Sequence, residues 1–125
     1  MKTITCAALA LLLTPAVVQA RGITRQALQT TDFPAGFQTV TGIATVAPGA
    51  CAGFHTHPGL ETSYVLEGEI TLKIEGKPDA KLKAGESFQI PINGKHDACN
   101  QGTTPMRVLA VYIIEKGKPL ASPAP

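Results

Sequence analysis

His55-Thr56-His57 places two imidazoles two residues apart. On a β-strand the side chains at i and i+2 leave the same face, so both rings can reach one ion from one strand. Glu61 follows four residues after His57, beyond Pro58-Gly59, a turn pair that can bring the next strand back alongside. His96, the third histidine of the chain, comes just after a second turn, Pro91-Ile92-Asn93-Gly94. Histidine is the commonest metal ligand. Three imidazole nitrogens and one carboxylate oxygen suit a single divalent transition metal, Fe, Mn, Ni, Cu, Co or Zn, without choosing among them. Four protein ligands on an octahedral ion leave two positions open to water, a substrate oxygen or dioxygen, so such a site can do chemistry as well as brace a fold. A lone histidine at a strand end is usually a polar surface residue. It is the spacing around the His-x-His pair that raises this set above that reading.

The elements that must position these residues read as strands. Gln38 to Val46 is rich in Thr, Val and Ile, which suits a pleated, half-buried surface. Pro48-Gly49 marks a turn, and Ala50 to His57 reads as a second strand. Glu61 to Glu67 is a third, closed by Gly68. Glu69 to Glu75 alternates polar and apolar without a break, which sets Ile70, Leu72 and Ile74 toward a core. Short strands follow around Ala80–Lys83, Ser87–Ile90 and His96–Asn100, then a long apolar one from Met106 to Ile114. About eight short strands with Gly/Pro punctuation and no convincing helix point to an all-β sandwich or barrel. Residues 21–37 read as an irregular lead-in, residues 38–115 as the barrel, and residues 116–125, with Pro119, Pro123 and Pro125, as a tail that should fray.

Composition narrows the functional classes. The 125 residues are 44% apolar and 16% charged, too hydrophobic for a disordered chain and enough for one domain. Part of the apolar excess lies at the start. Lys2 precedes an apolar run from Ile4 to Leu13, Thr14-Pro15 breaks it, and Val18-Gln19-Ala20 ends it with small residues. That order predicts a signal peptide over residues 1–20, cleaved after Ala20, and hence a periplasmic or secreted protein. The run is about half the roughly 20 residues that a spanning helix needs, so no membrane attachment is expected after cleavage. Removing Lys2 from eleven basic residues leaves ten against nine acidic ones, a net charge of +1, and the basic residues are scattered. No nucleic-acid footprint is present. Cys51 and Cys99 form an even pair in an oxidising compartment, which permits either a disulfide or two buried thiols.

Two segments carry a family resemblance. Gly49, His55-Thr56-His57, Glu61 and Gly68 match the spacing of the first motif of the cupin superfamily. Gly85, Pro91, His96 and Asn100 match the second, with Asn93 where the family usually has glycine. Asn tolerates positive φ better than most residues, so the turn can survive. The resemblance covers about residues 38–115, and the intermotif stretch is short, as in small single-domain cupins of the quercetinase-like kind. It implies a cupin-type jelly-roll β-barrel with a metal near its centre, held by His55, His57, Glu61 and His96, and homodimers as a common assembly. In the family layout Phe54, Tyr64, Phe88, Gln89, Met106 and Tyr112 lie on strands next to the site. Tyr64, Phe88 and Met106 are the candidates for a substrate pocket, with Tyr64 foremost, and core packing is the plainer role for each.

The layout also sets the strands of Cys51 and Cys99 side by side and antiparallel. Facing residues then have a constant index sum, 151 for His55 with His96 and 150 for Cys51 with Cys99. The cysteines are near register, although strict alternation would turn Cys99 away from the face of His96. The resemblance does not imply one reaction. One expectation is a metal-dependent dioxygenase-like oxidoreductase acting on a small organic molecule, with Glu61 doubling as a catalytic base. The alternative is a module that binds a small ligand or a metal without chemistry. A metal-independent structural role fits an intact ligand set poorly.

Overall fold

The structure, a computed structural model, describes residues 17–20 and 22–125, with side chains from Gly22 onward. Most of the expected signal peptide lies outside the described residues. Its last four, Val17–Ala20, form β1. The other strands are β2 (Ile23–Thr31), β3 (Phe37–Val46), β4 (His55–Thr56), β5 (Gly59–Glu67) and β6 (Glu69–Ile74). They continue with β7 (Ala80–Lys83), β8 (Ser87–Ile90), β9 (His96–Cys99), β10 (Met106–Glu115) and β11 (Ser122–Pro123). No helix occurs among the described residues. The chain is therefore all-β, as its alternation and turn chemistry predict.

The strands form two antiparallel sheets. One has the order β1-β2-β3-β10-β5-β8, the other β11-β4-β9-β6-β7. The long strand β10 anchors the first sheet, with ten consecutive rungs to β3 and a second ladder to β5. Its apolar alternation explains this place: Met106, Val108, Ala110, Tyr112 and Ile114 are all buried, and the residues between them are half-buried on the opposite face. Ile70 and Leu72 of β6 meet Val46, Val65, Ile90 and Met106 between the sheets. Such a row of fully buried apolar side chains contributes roughly 1.5–3 kcal/mol per residue relative to exposure. Gly59 allows β5 to approach β10, since a Cβ there would lie 1.9 Å from the Ile113 carbonyl oxygen.

The two ends of the chain depart from expectation. Residues 21–37 are not an irregular lead-in: Ile23–Thr31 is a nine-residue strand laddered to β3, with a bulge between Ala27 and Gln29. Its polar composition hides it because only Ile23–Arg25 are even partly buried and the rest of the strand is exposed. The tail does not fray either. Ser122 and Pro123 pair with Thr56 and His55 as an edge strand. The second-strand reading over Ala50 to His57 contracts to the two residues of β4 plus an isolated bridge at Cys51.

That contraction decides the cysteines. Cys51 bridges Cys99 and His55 bridges His96, so the register shifts by one residue between the two pairs. Gly53, at φ 83°, supplies the bend. The extra residue turns Cys51 to the side of the sheet that Cys99 occupies, and the two are joined as a disulfide with Cα atoms 4.0 Å apart. Asn93 adopts φ 56° in the turn before β9, where its amide donates to the His57 carbonyl. Buried Asn100 ties the sheets together, its Nδ2 donating to the carbonyls of Val46 and Thr104.

Candidate metal centre

The three imidazoles come from the five-stranded sheet and its margin. His55 lies on β4, His96 on β9 directly opposite, and His57 just past the end of β4. All three are buried. Their ring centroids lie 4.2–5.1 Å apart. Glu61 comes from the other sheet. It is an inward position of β5, paired with Tyr112 on one side and Ile90 on the other. The barrel closes the two sets onto one point.

Each imidazole is oriented through its outer nitrogen. The Nδ1 of His55 donates to the Gly53 carbonyl (2.7 Å), that of His57 to the Leu120 carbonyl (2.6 Å), and that of His96 to the Gly94 carbonyl (2.9 Å). A carbonyl can only accept, so each Nδ1 carries the proton and each neutral ring keeps its Nε2 lone pair free. This is the arrangement by which outer hydrogen bonds fix metal-binding histidines. On the opposite wall the Ser63 hydroxyl donates to Glu61 Oε1 at 2.6 Å, which leaves Oε2 turned inward.

The inner atoms converge without satisfying one another. Glu61 Oε2 lies 3.0 Å from His57 Nε2 and 3.3 Å from His96 Nε2. Yet both His57 Nε2 and Glu61 Oε2 are buried without a hydrogen-bond partner, because the contacts are close but misdirected. Two atoms each about 2.1 Å from one ion are about 3.0 Å apart at a right angle and about 3.4 Å apart at a tetrahedral angle. The spacings are those of neighbouring ligands on a shared cation. A buried carboxylate oxygen and a buried imidazole nitrogen left without partners are costly without a positive charge between them. The donor set therefore fits a divalent transition metal.

The electrostatics agree. Burial pushes His55 down to about 4, with the neighbouring His96 and His57 adding to the effect and the Gly53 hydrogen bond opposing it. The ring is thus neutral at pH 7, as a ligand must be. Burial alone would raise the Glu61 carboxyl, but the close approach of His57 and His96 and the Ser63 hydroxyl outweigh it and hold it well below the usual carboxylate range.

Two spaces that share Arg25, Ala44 and Tyr112 in their walls lie near the site. A void of about 30 Å³ lies among His55, Glu61, His96, Phe88, Met106 and Tyr112. A larger cavity of about 390 Å³ opens beyond it, walled by β2, β3, Tyr112 and the tail residues Leu120 and Ala121. Phe88 and Met106 thus reach the inner space. Tyr64 does not. It stands three residues from Glu61 on β5, so alternation turns it to the outer face, where it is 45% exposed. The reading of Tyr64 as a pocket residue is corrected on that ground. Phe54 is also exposed and lines neither space.

Four contributors escape a reading of sequence. Ser63 could have been found from its i+2 spacing to Glu61. Tyr112, named only as a neighbouring strand residue, lies with its ring centroid 4.8 Å from that of His57 and lines both spaces. Arg25, on the strand hidden in the supposed lead-in, also lines both. The Leu120 carbonyl is a backbone group, for which no residue type gives a signal.

Comparison with known proteins agrees with the geometry. The family model described as a cupin domain matches residues 42–112. The chain belongs to the cupin family. No curated protein matches this cupin. Among solved structures it is similar to a conserved protein with a double-stranded β-helix domain from Klebsiella pneumoniae, at 25% identity and TM-score 0.65 over 78% of this chain and 83% of that one. It is similar to a predicted oxalate decarboxylase from Thermotoga maritima, at 24% identity and TM-score 0.64 over 81% and 92%. It also resembles the DMSP lyase DddQ from Ruegeria pomeroyi, at 21% identity and TM-score 0.63 over 69% of this cupin but only 43% of the lyase. The last two likenesses are of fold.

Proposed function

We propose that this cupin is an exported, metal-dependent enzyme that acts on a small organic molecule. One observation carries the reading: with every outer histidine nitrogen already committed, the three imidazoles offer ligand atoms within 4.8 Å of one another, and Glu61 Oε2 lies 3.0 and 3.3 Å from two of them, with His57 Nε2 and Glu61 Oε2 buried and unpartnered. His55, His57, His96 and Glu61 would hold one divalent transition metal, which would supply Lewis acidity and open positions for a substrate oxygen and dioxygen. The chain's own groups supply the rest. Glu61 reaches the site from a separate sheet, stays ionised beside two of the three imidazoles, and would both help hold the metal and offer a carboxylate oxygen as the general base. Tyr112 keeps its proton, because burial and then the Glu61 charge push its hydroxyl upward, and it can donate a hydrogen bond into the cavity. Phe88 and Met106 keep the inner space dry.

The reaction class proposed is dioxygenase-like. Names among the structural neighbours also include decarboxylase and lyase, so the test must separate these outcomes. Protein recovered from its own compartment should contain one transition metal per chain by elemental analysis, and its amino terminus should be Arg21. Oxygen uptake with enolic and phenolic substrates then marks the dioxygenase-like reading. Product without oxygen uptake moves the protein to a non-oxidative class. Absence of metal defeats the proposal. One observation favours the second reading, a binding module without chemistry: among the described residues, no carboxylate or imidazole outside the ligand set lines either space. Ligand-dependent thermal shifts with no product under any metal would select it.

A further inference from the structure

The Arg25 guanidinium stands where the inner void meets the larger cavity, since Arg25, Ala44 and Tyr112 line both. It comes from β2, at the position opposite Ala44 of β3, both side chains facing inward. Its Nε is buried and has no partner. No carboxylate pairs with it among the described residues, although every other ion pair among them uses a surface Lys or Arg, or a histidine of the metal set. Its charge reaches both His55 and the neighbouring Tyr112, whose hydroxyl lies beside it. The walls around it are mostly apolar, with Val40, Ile43, Ala44, Leu120 and Ala121 among them; besides Tyr112, Gln26 is the polar side chain in the lining.

A half-buried guanidinium with an orphaned donor in an apolar cavity is an incomplete pair. The charge balance of the adjoining centre deepens the deficit. A divalent ion held by three neutral imidazoles and one carboxylate keeps one net positive charge, and Arg25 adds a second. The planar fork of an arginine matches a carboxylate in two parallel hydrogen bonds. One cation with only a tyrosine hydroxyl beside it suits a monoanion better than a phosphate dianion, which needs more donors.

We propose that Arg25 is a specificity-determining residue that anchors the carboxylate of an organic acid, with the acid's apolar body filling the cavity of about 390 Å³ and its reactive end directed at the metal. Tyr112 donates to the same carboxylate. The inference rests on the metal reading above and names the substrate class of that site.

The test uses zinc-loaded protein, 3-phenylpropanoate and its neutral amide, followed by calorimetric titration at pH 7. The acid should bind about tenfold or more tightly than the amide, as one charge-assisted hydrogen-bonded pair predicts. Arg25→Gln should remove that preference while metal content stays at one per chain, and Arg25→Lys should restore part of it. Equal binding of acid and amide by the parent protein overturns the inference. So does an acid preference that survives Arg25→Gln, since the metal alone then selects the acid. If Arg25→Gln fails to fold, the acid–amide contrast in the parent and the Arg25→Lys variant decide. Failure to take up zinc is a separate result, which defeats the metal reading. In that case metal-free protein must still prefer the acid through Arg25, and equal binding there overturns this inference as well.

Discussion

The two walls of the candidate metal centre are built differently. Glu61 stands on β5, a nine-residue strand flanked on both sides by regular ladders. The histidines stand on or beside a two-residue strand and a four-residue strand. Their placement depends on clamps from elsewhere: the Leu120 carbonyl of the tail, the disulfide, and the 51–54 bend, where Asp97 Oδ1 accepts from the Gly53 amide. The carboxylate wall is thus held by its own sheet, whereas the histidine wall combines carbonyls two residues away, which hold the His55 and His96 rings, with contacts distant in sequence, which hold His57 and the short strands. A long ladder fixes register cooperatively, whereas a short strand needs each added contact.

This contrast can be broken or sharpened by measurement. His57→Ala should have the largest effect, lowering zinc affinity on the order of 10²–10³-fold, one ligand's share of about 10–16 kcal/mol from four. Competition with a chelator measures it. Gly59→Ala attacks the other wall. The new Cβ meets the Ile113 carbonyl, and denaturant unfolding should show about 3 kcal/mol of lost stability. If that variant matches the parent, the carboxylate wall is less rigid than argued.

Ending the chain at Pro119 removes the Leu120 carbonyl and β11. Zinc affinity should fall about 10–100-fold, the usual cost of losing an outer hydrogen bond to a ligand. Amide exchange in β5 and β10 should stay unchanged, and loss of protection there would erase the distinction between the walls. Ser63→Ala should cost about 1–2 kcal/mol in chelator-treated protein, the value of a hydrogen bond to a charged group, read from its denaturation midpoint.

The shallowest effect is in pH. The His55 pKa is about 4 in the fold against 6.5 for the free side chain, so between these values the unfolded chain binds more protons. The His55 contribution is complete above pH 6.5 and declines as pH falls toward 4. Chelator-treated protein should therefore lose stability over that window, and His55→Gln should flatten the slope.

Much of the fold was legible because the relevant forces act locally. The unbroken alternation of Glu69–Glu75 and the apolar run of Met106–Ile114 correspond closely to β6 and β10. β2 was not legible, since a mostly polar strand is recruited by the ladder of β3 and not by its own pattern. Tyr64 was misplaced because proximity in sequence to Glu61 is not proximity in space: an odd separation on a strand reverses the face.

His55 and His57 stood out as a pair from residue type and spacing, because an i, i+2 pair needs only neighbouring residues, and the resemblance to the cupin motifs joined Glu61 and His96 to them. Sequence also bounded the fold class. Only the tertiary structure brought in Arg25 and the Leu120 carbonyl and gave Ser63 and Tyr112 their contacts. Their roles arise from strand register and sheet closure, which join segments far apart in the chain, and a backbone carbonyl carries no residue identity to read.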